Sequence, residues 1–402
     1  MENKLVRWPR IVIPAISMLF AGVIYAWSVL KAPLEAEFGW SSSALALNFT
    51  LTLCFFCVGG VLGSRITRRA PPRVGLLLAA ACIAVGFLLS SRLSGQVVVL
   101  YISYAGLAGT GIGIAYNIII STTNAWFPDK KGTCSGVLMM CFGLSSLILG
   151  KAADALFAMP SIGWRKTYLL LGLGIGAVIA LCSLGMEMPP ADMVFPQSRK
   201  KTSSKGTIEA LELPTKEMWR RPSFLKFFAF AVLTSASGSA VIGFARDLAI
   251  AAGADVALAT TLVGVLSLCN GLGRITCGVV SDQLGVRKAM LISNAIALLA
   301  PLAVLFSLGR NSLGLCIAGL CLTGIAYGFL ATIISAFTAA FYGLRYFPSN
   351  YSLSNMMLFP ASFGATFASI LLTETGGYTA PFLLLTAFAG IAMVINLTIR
   401  RP

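Results

Sequence analysis

Apolar residues fill this chain in runs of about twenty, the length of a helix that crosses a bilayer; a barrel strand needs only about 9–11. Each run stops at a short group of charged or turn-forming residues. The runs predict twelve membrane-spanning helices, at 11–31, 43–64, 74–91, 97–123, 132–156, 165–187, 223–245, 258–281, 287–308, 313–340, 350–373 and 378–399. One long polar segment, 188–222, interrupts the series with Pro189-Pro190 and the basic run Ser198–Lys205. It divides the chain into a six-helix bundle at 1–187, a cytoplasmic linker at 188–222 and a second six-helix bundle at 223–402. The fold class expected is an all-α membrane protein of twelve helices in two pseudo-symmetric bundles.

The two halves repeat each other. Gly113-Ile-Ala-Tyr116 in the fourth span matches Gly324-Ile-Ala-Tyr327 in the tenth, and Trp126-Phe-Pro128 matches Tyr346-Phe-Pro348. Repeated bundles of this kind belong to transporters that rock one half against the other around a midplane site.

Composition agrees with the pattern. The chain is 57% hydrophobic and only 11% charged, against about 25% charged in a soluble domain. A net charge of +16 suggests nucleic acid until its placement is read. With the N-terminus inside, most Lys and Arg fall in inner loops, in clusters such as Arg65, Arg68, Arg69 and Arg73. Lys31, Arg92, Lys151, Arg165, Lys166, Arg246 and Arg310 are left outside. That asymmetry predicts an inner-membrane protein with both termini cytoplasmic, in contact with lipid and not with nucleic acid. Lys31, Arg165 and Arg246 are expected to snorkel at outer span ends. Residues 11–31 are too long for the core of a cleaved signal peptide and read as a first span. Ten cysteines lie scattered in the spans and there is no histidine. No metal site, cofactor, nucleotide motif or nucleophile constellation is expected, so neither an enzyme nor an ATP-driven pump.

Arg274 is the exception to the charge pattern. It lies in Asn270-Gly-Leu-Gly-Arg274-Ile-Thr-Cys-Gly278, and the next charge downstream is Asp282. A guanidinium inside the bilayer costs on the order of 2.5–3.5 kcal/mol or more and is rarely kept without a partner or a task. Arginine cannot deprotonate to escape. Two readings stand: an anion-binding residue of a transporter, or a charge capped by backbone carbonyls or an acid on another helix.

Between the eighth and ninth spans runs Gly278-Val-Val-Ser-Asp282-Gln-Leu-Gly285-Val-Arg287-Lys288. A glycine for close helix approach, an acid to cap the span end, a turning glycine and two surface bases resemble the signature loop of the major facilitator superfamily. The matching loop of the first half, Gly60-Val-Leu-Gly-Ser64-Arg65-Ile-Thr67-Arg68-Arg69, is degraded: Ser64 replaces the acid and Thr67 the turning glycine. A narrower resemblance rests on Tyr25-Ala-Trp27-Ser-Val-Leu-Lys-Ala-Pro33, Gly39-Trp40-Ser41, Trp126-Phe-Pro-Asp-Lys-Lys-Gly132, Gly163-Trp-Arg165, Asn270-Gly-Leu-Gly-Arg274 and Thr375-Gly-Gly-Tyr378. These resemble the oxalate/formate antiporter family, microbial relatives of the monocarboxylate transporters. The resemblance implies transport of small carboxylates, with Arg274 binding the carboxylate. It also implies a lysine in the eleventh span, at about Leu358; this chain has no Lys or Arg in that span. One fixed cation suits one carboxylate. The human carriers place an aspartate where Asn270 stands here, one turn from Arg274 on the same face.

Tyr25 and Trp27 of the first span, Asn117 of the fourth and Tyr327 of the tenth are expected to supply donors and aromatic walls, or else ordinary interhelical packing. Gly106, Gly109, Gly111 and Gly113 are expected to bring the fourth span against a neighbour. The function expected is secondary transport of small monocarboxylates, lactate-, pyruvate- or formate-like, by anion exchange or by symport with a proton, the chain working as a monomer. The alternatives are a dicarboxylate exchanger, an exporter of hydrophobic compounds, and a non-transporting membrane sensor. Leu358 argues against the first, the lack of a mid-span acid against the second, and the short tails against the third.

Overall fold

The computed structural model describes residues 7–190, 193 and 211–400. The basic run Ser198–Lys205 lies outside the described residues. Eleven helices among the described residues are long and apolar enough to cross a membrane. They are α1 Pro9–Phe38, α2 Ser42–Ile66, α3 Pro72–Ser90, α4 Val97–Trp126, α5 Lys131–Phe157, α6 Gly163–Ser183, α7 Pro222–Ala251, α8 Val256–Leu284, α9 Val286–Arg310, α10 Leu313–Tyr342 and α12 Thr379–Thr398. The predicted span at 350–373 is divided into α11a, Phe347–Asn355, and α11b, Leu358–Thr375. The division follows composition. α11a is rich in serine and asparagine, and Pro360 sits in the first turn of α11b, where a missing N–H has no intrahelical partner to lose.

Contacts group the chain into two compact units. One comprises Met1–Lys130, Cys141–Gly206 and Phe347–Met356; the other comprises Lys131–Met140, Thr207–Tyr346 and Met357–Pro402. The opening turns of α5 therefore belong with the second unit, and α11a with the first.

In the first unit α4 is central, and nearly every residue from Gly109 to Trp126 is buried. Small residues make that possible. A Cβ on Gly109 would lie 3.0 Å from the Thr52 carbonyl oxygen of α2, and one on Gly111 2.8 Å from the Ala79 carbonyl oxygen of α3. Gly113 backs onto the Phe56 carbonyl of α2. Gly106 is different from the expectation: the one contact there, at 3.5 Å, is the Tyr101 carbonyl oxygen of α4 itself. It lies in a π-helical stretch, Tyr101–Ala108, where the helix is locally widened.

In the second unit α10 takes the same place. A Cβ on Gly324 would lie 2.5 Å from the Leu266 carbonyl oxygen of α8, and one on Gly273 of α8 2.6 Å from the Ile325 carbonyl oxygen. The repeated Gly-Ile-Ala-Tyr thus does one packing job twice. Its glycine lets the fourth helix of each half lie against the second, as small-residue interfaces do in membranes. Phe244, Leu248, Leu266, Val304, Leu320 and Phe382 form an apolar core beside this seam. Large apolar side chains such as Leu77, Leu173, Leu181, Val394 and Leu397 remain exposed on the helices, as a lipid-facing surface requires.

Arg165 does not simply snorkel. It pairs with Glu37 of α1 at 2.7 Å and donates to the Leu93 carbonyl oxygen at 2.7 Å. It ties the start of α6 to the end of α1 and to the α3–α4 loop.

Candidate functional site

Arg274 lies mid-way along α8 and is 2% exposed. Its Nε donates to Asn270 Oδ1 at 3.0 Å. The spacing of four residues puts both side chains on one helix face. Its Nη1 donates to the Met139 carbonyl oxygen in the opening turns of α5. The backbone around it is equally enclosed. Thr332 Oγ1 of α10 donates to the Arg274 carbonyl oxygen at 3.0 Å, and a Cβ on Gly136 would lie 2.6 Å from that oxygen. Gly136 and Gly328 let α5 and α10 approach from two sides, and a Cβ on Gly328 would lie 3.0 Å from the Arg274 nitrogen.

A guanidinium carries five N–H donors in a planar fork. Bonds from Nε and Nη1 fix the plane of that fork. Asn270 accomplishes this without adding charge; an aspartate there would neutralise the guanidinium. The local charge at Arg274 and Asn270 thus stays positive. A positive, fixed, desolvated fork is suited to a carboxylate.

The other expected residues are placed as follows. Tyr327, half-buried on α10, packs its ring against Gly238 of α7, one residue from the Gly328 contact with Asn270. Leu358 stands half-buried at the first position of α11b. Asn270, Arg274, Tyr327 and Leu358 all belong to the second unit. Tyr25, Trp27 and Asn117 belong to the first. Tyr25 lies in a 3-10 stretch, Gly22–Ala26, with its ring edge-on to Phe142 at 5.5 Å. Trp27 Nε1 donates to the Leu45 carbonyl oxygen at 3.1 Å, and its ring lies 4.8 Å from Tyr104. Asn117 Nδ2 donates to the Pro348 carbonyl oxygen at 3.0 Å, so it holds the start of α11a. Its buried Oδ1 has no hydrogen-bond partner among the described residues.

The signature loop works across the sequence. Asp282 was expected to cap its own span. Its carboxylate instead caps the start of α5, accepting from Gly132 N at 3.0 Å, Thr133 N at 2.7 Å and Thr133 Oγ1 at 2.5 Å. An anion at a helix N-terminus is favourable there. Gly278 makes room: a Cβ on Gly132 would lie 2.7 Å from its carbonyl oxygen. Gly285 takes the turn with φ +87°. Arg287 donates to Asn396 Oδ1 at 2.9 Å and to the Leu397 carbonyl oxygen at 3.1 Å, anchoring α12, while Lys288 is exposed. Asp282→Ala removes the cap and is expected to lower the unfolding midpoint of the purified protein by about 1–4 °C; Asp282→Asn, whose amide oxygen still accepts, recovers part of it. An unchanged midpoint in Asp282→Ala would show that the cap contributes nothing.

Sequence reading missed the Met139 carbonyl, Thr332, the Ser135–Ser335 hydroxyl bond at 3.0 Å and the Tyr351–Tyr116 bond at 3.0 Å. The available signal was Gly132 and Gly136, spaced four apart at the start of α5, which is a small-residue interface.

Comparison with known proteins identifies the family and the fold. The family model described as Major Facilitator Superfamily matches residues 12–245 and 228–402. The chain is 26% identical over 348 residues to "Uncharacterized MFS-type transporter YhjX" of Escherichia coli, covering 86% of this chain and 83% of that protein. It is 27% identical over 397 residues to "Oxalate:formate antiporter" of Oxalobacter formigenes, covering 96% and 90%. To "Monocarboxylate transporter 13" of Bos taurus it is 21% identical, covering 95% and 86%. Among solved structures, the proton:xylose symporter XylE superposes with a TM-score of 0.74 at 11% identity, covering 99% of this chain and 97% of that one. FucP, in an outward conformation, gives 0.69 at 12% identity, covering 98% and 99%.

Proposed function

This chain belongs to the Major Facilitator Superfamily, and we propose that it carries small monocarboxylates, lactate-, pyruvate- or formate-like, by alternating access. The observation that carries the reading is the buried Arg274 guanidinium, braced by neutral Asn270 on its own helix. The relatives named for oxalate, formate and monocarboxylates support the substrate class. Leu358–Thr375 contains no Lys or Arg, which favours a substrate with one carboxylate over one with two. The positive-inside pattern supports an inner-membrane location with cytoplasmic termini, and the two sequence halves, 1–187 and 223–402, supply the rocking bundles of one working monomer.

The cycle we propose is exchange. A reorienting empty carrier would move a buried charge without its counter-anion, which is costly in low dielectric. A returning anion removes that cost. There is no histidine in the chain to serve as a proton carrier. The test is counterflow of radiolabelled lactate, pyruvate, formate and oxalate in proteoliposomes. Monocarboxylates are expected to exchange, with trans substrate accelerating uptake several-fold without a pH gradient. Uptake by empty vesicles driven entirely by a pH gradient, without trans stimulation, would establish proton symport instead. Oxalate outcompeting every monocarboxylate would return the dicarboxylate reading.

A further inference from the structure

The two signature-position loops treat their charges in opposite ways. In the second half, Asp282 and Arg287 are consumed by α5 and α12. In the first half, Ser64 stands where the acid would be, and its Oγ donates to the Val61 carbonyl oxygen of its own helix at 2.7 Å. Arg65, Arg68 and Arg69 follow it, all exposed. Among the described residues none of the three makes an ion pair or a hydrogen bond; the local acid, Glu187, faces Arg73 instead, at 3.9 Å. The three arginines line one cavity of about 550 Å³. Arg65 lies in the last turn of α2, and Arg68 and Arg69 lie in the turn that follows it. Three guanidinium forks on one cavity, with no carboxylate among the described residues that line it, match a multiply charged oxyanion. Arginine binds phosphate bidentately.

We propose that Arg65, Arg68 and Arg69 form a binding site for a phosphate-bearing anion, either the headgroup of an anionic lipid or a free polyphosphate. The site is separate from Arg274 and does not depend on which substrate is carried. With Ser64 in the position of the acid, α2 carries no carboxylate beside the three forks.

Native mass spectrometry of the full chain in detergent tests this, with phosphatidylglycerol, cardiolipin and phosphatidylcholine as probes. Anionic-lipid adducts are expected on the wild type and zwitterionic phosphatidylcholine is not. Each Arg→Gln replacement should weaken retention about fivefold, the factor equivalent to about 1 kcal/mol per basic residue at an anionic surface. R65K/R68K/R69K should keep more than R65Q/R68Q/R69Q, since charge survives and the fork is lost. Displacement of the adducts by millimolar pyrophosphate identifies a free polyphosphate as the source; adducts that resist it identify the lipid. Wild-type retention by R65Q/R68Q/R69Q, or equal retention of phosphatidylcholine and phosphatidylglycerol by the wild type, overturns the proposal.

Discussion

Arg274→Ala is expected to abolish carboxylate uptake, and Arg274→Lys to retain a small fraction of it. Removing one partner of a buried charged pair costs about 2–5 kcal/mol of binding, a loss of at least thirtyfold. Lysine keeps the charge but has one nitrogen at its tip. It cannot reach both Asn270 Oδ1 and the Met139 carbonyl oxygen and still present a fork. Stability separates this role from a purely structural one. Deleting the side chain leaves no unpaired charge behind, only the Asn270 and Met139 acceptors without their donor, so Arg274→Ala should still fold, with a modest loss of stability. Substrate-dependent thermal stabilisation should vanish in the same variant. Wild-type uptake by Arg274→Ala at normal expression sinks the assignment. A variant that unfolds early yet still binds substrate would make Arg274 a brace for α5 and nothing more.

Leu358→Lys is expected to move the preference from monocarboxylates toward oxalate. A second fixed cation gives a dianion a second charge-assisted bond, worth about 1.5–3 kcal/mol, or tenfold and more in affinity. The same ammonium has no partner when a monocarboxylate is bound, and transport of lactate or formate weakens. Inhibition constants for oxalate and lactate on the variant measure the shift. The position itself is open to an independent check. Leu358→Cys, with the native cysteines replaced, should react with a water-borne thiol reagent in at least one transport state. A cysteine at 358 that never reacts removes the residue from the substrate path.

The bilayer is why so much of the fold was legible. A solvent about 30 Å thick fixes the length of each helix, so apolar runs alone delimit the spans. The repeated Gly-Ile-Ala-Tyr also survived as sequence because close approach of α4 to α2 and of α10 to α8 admits only the smallest residue. Partner choice was not legible. Asp282 caps a helix that starts about 150 residues earlier in the chain, and nothing local distinguishes that from a cap on its own span. Asn117 and Trp27 read as ligand donors or as ordinary packing; Trp27 gives its one N–H, and Asn117 one of its two, to a backbone carbonyl of its own unit. A lone polar atom in an apolar run announces that it needs a partner, but not which one. The break before Leu358 was missed because, over a wide window, the apolar residues of α11b outweigh the serines and asparagines of α11a.

The grouping of Lys131–Met140 with the second unit sets an order of assembly during synthesis. Gly132, Thr133 and Gly136 meet residues of α8, and the last of these partners is Asp282. At about 5–20 residues per second, a ribosome that has finished the start of α5 needs roughly 8–30 s to supply them. Throughout that interval the amides at the start of α5 lack their carboxylate, and the small-residue face there lacks its partner helix. A nascent first half is therefore an unfinished object, however complete its six hydrophobic runs, and its biogenesis calls for something to shelter that face until α8 arrives.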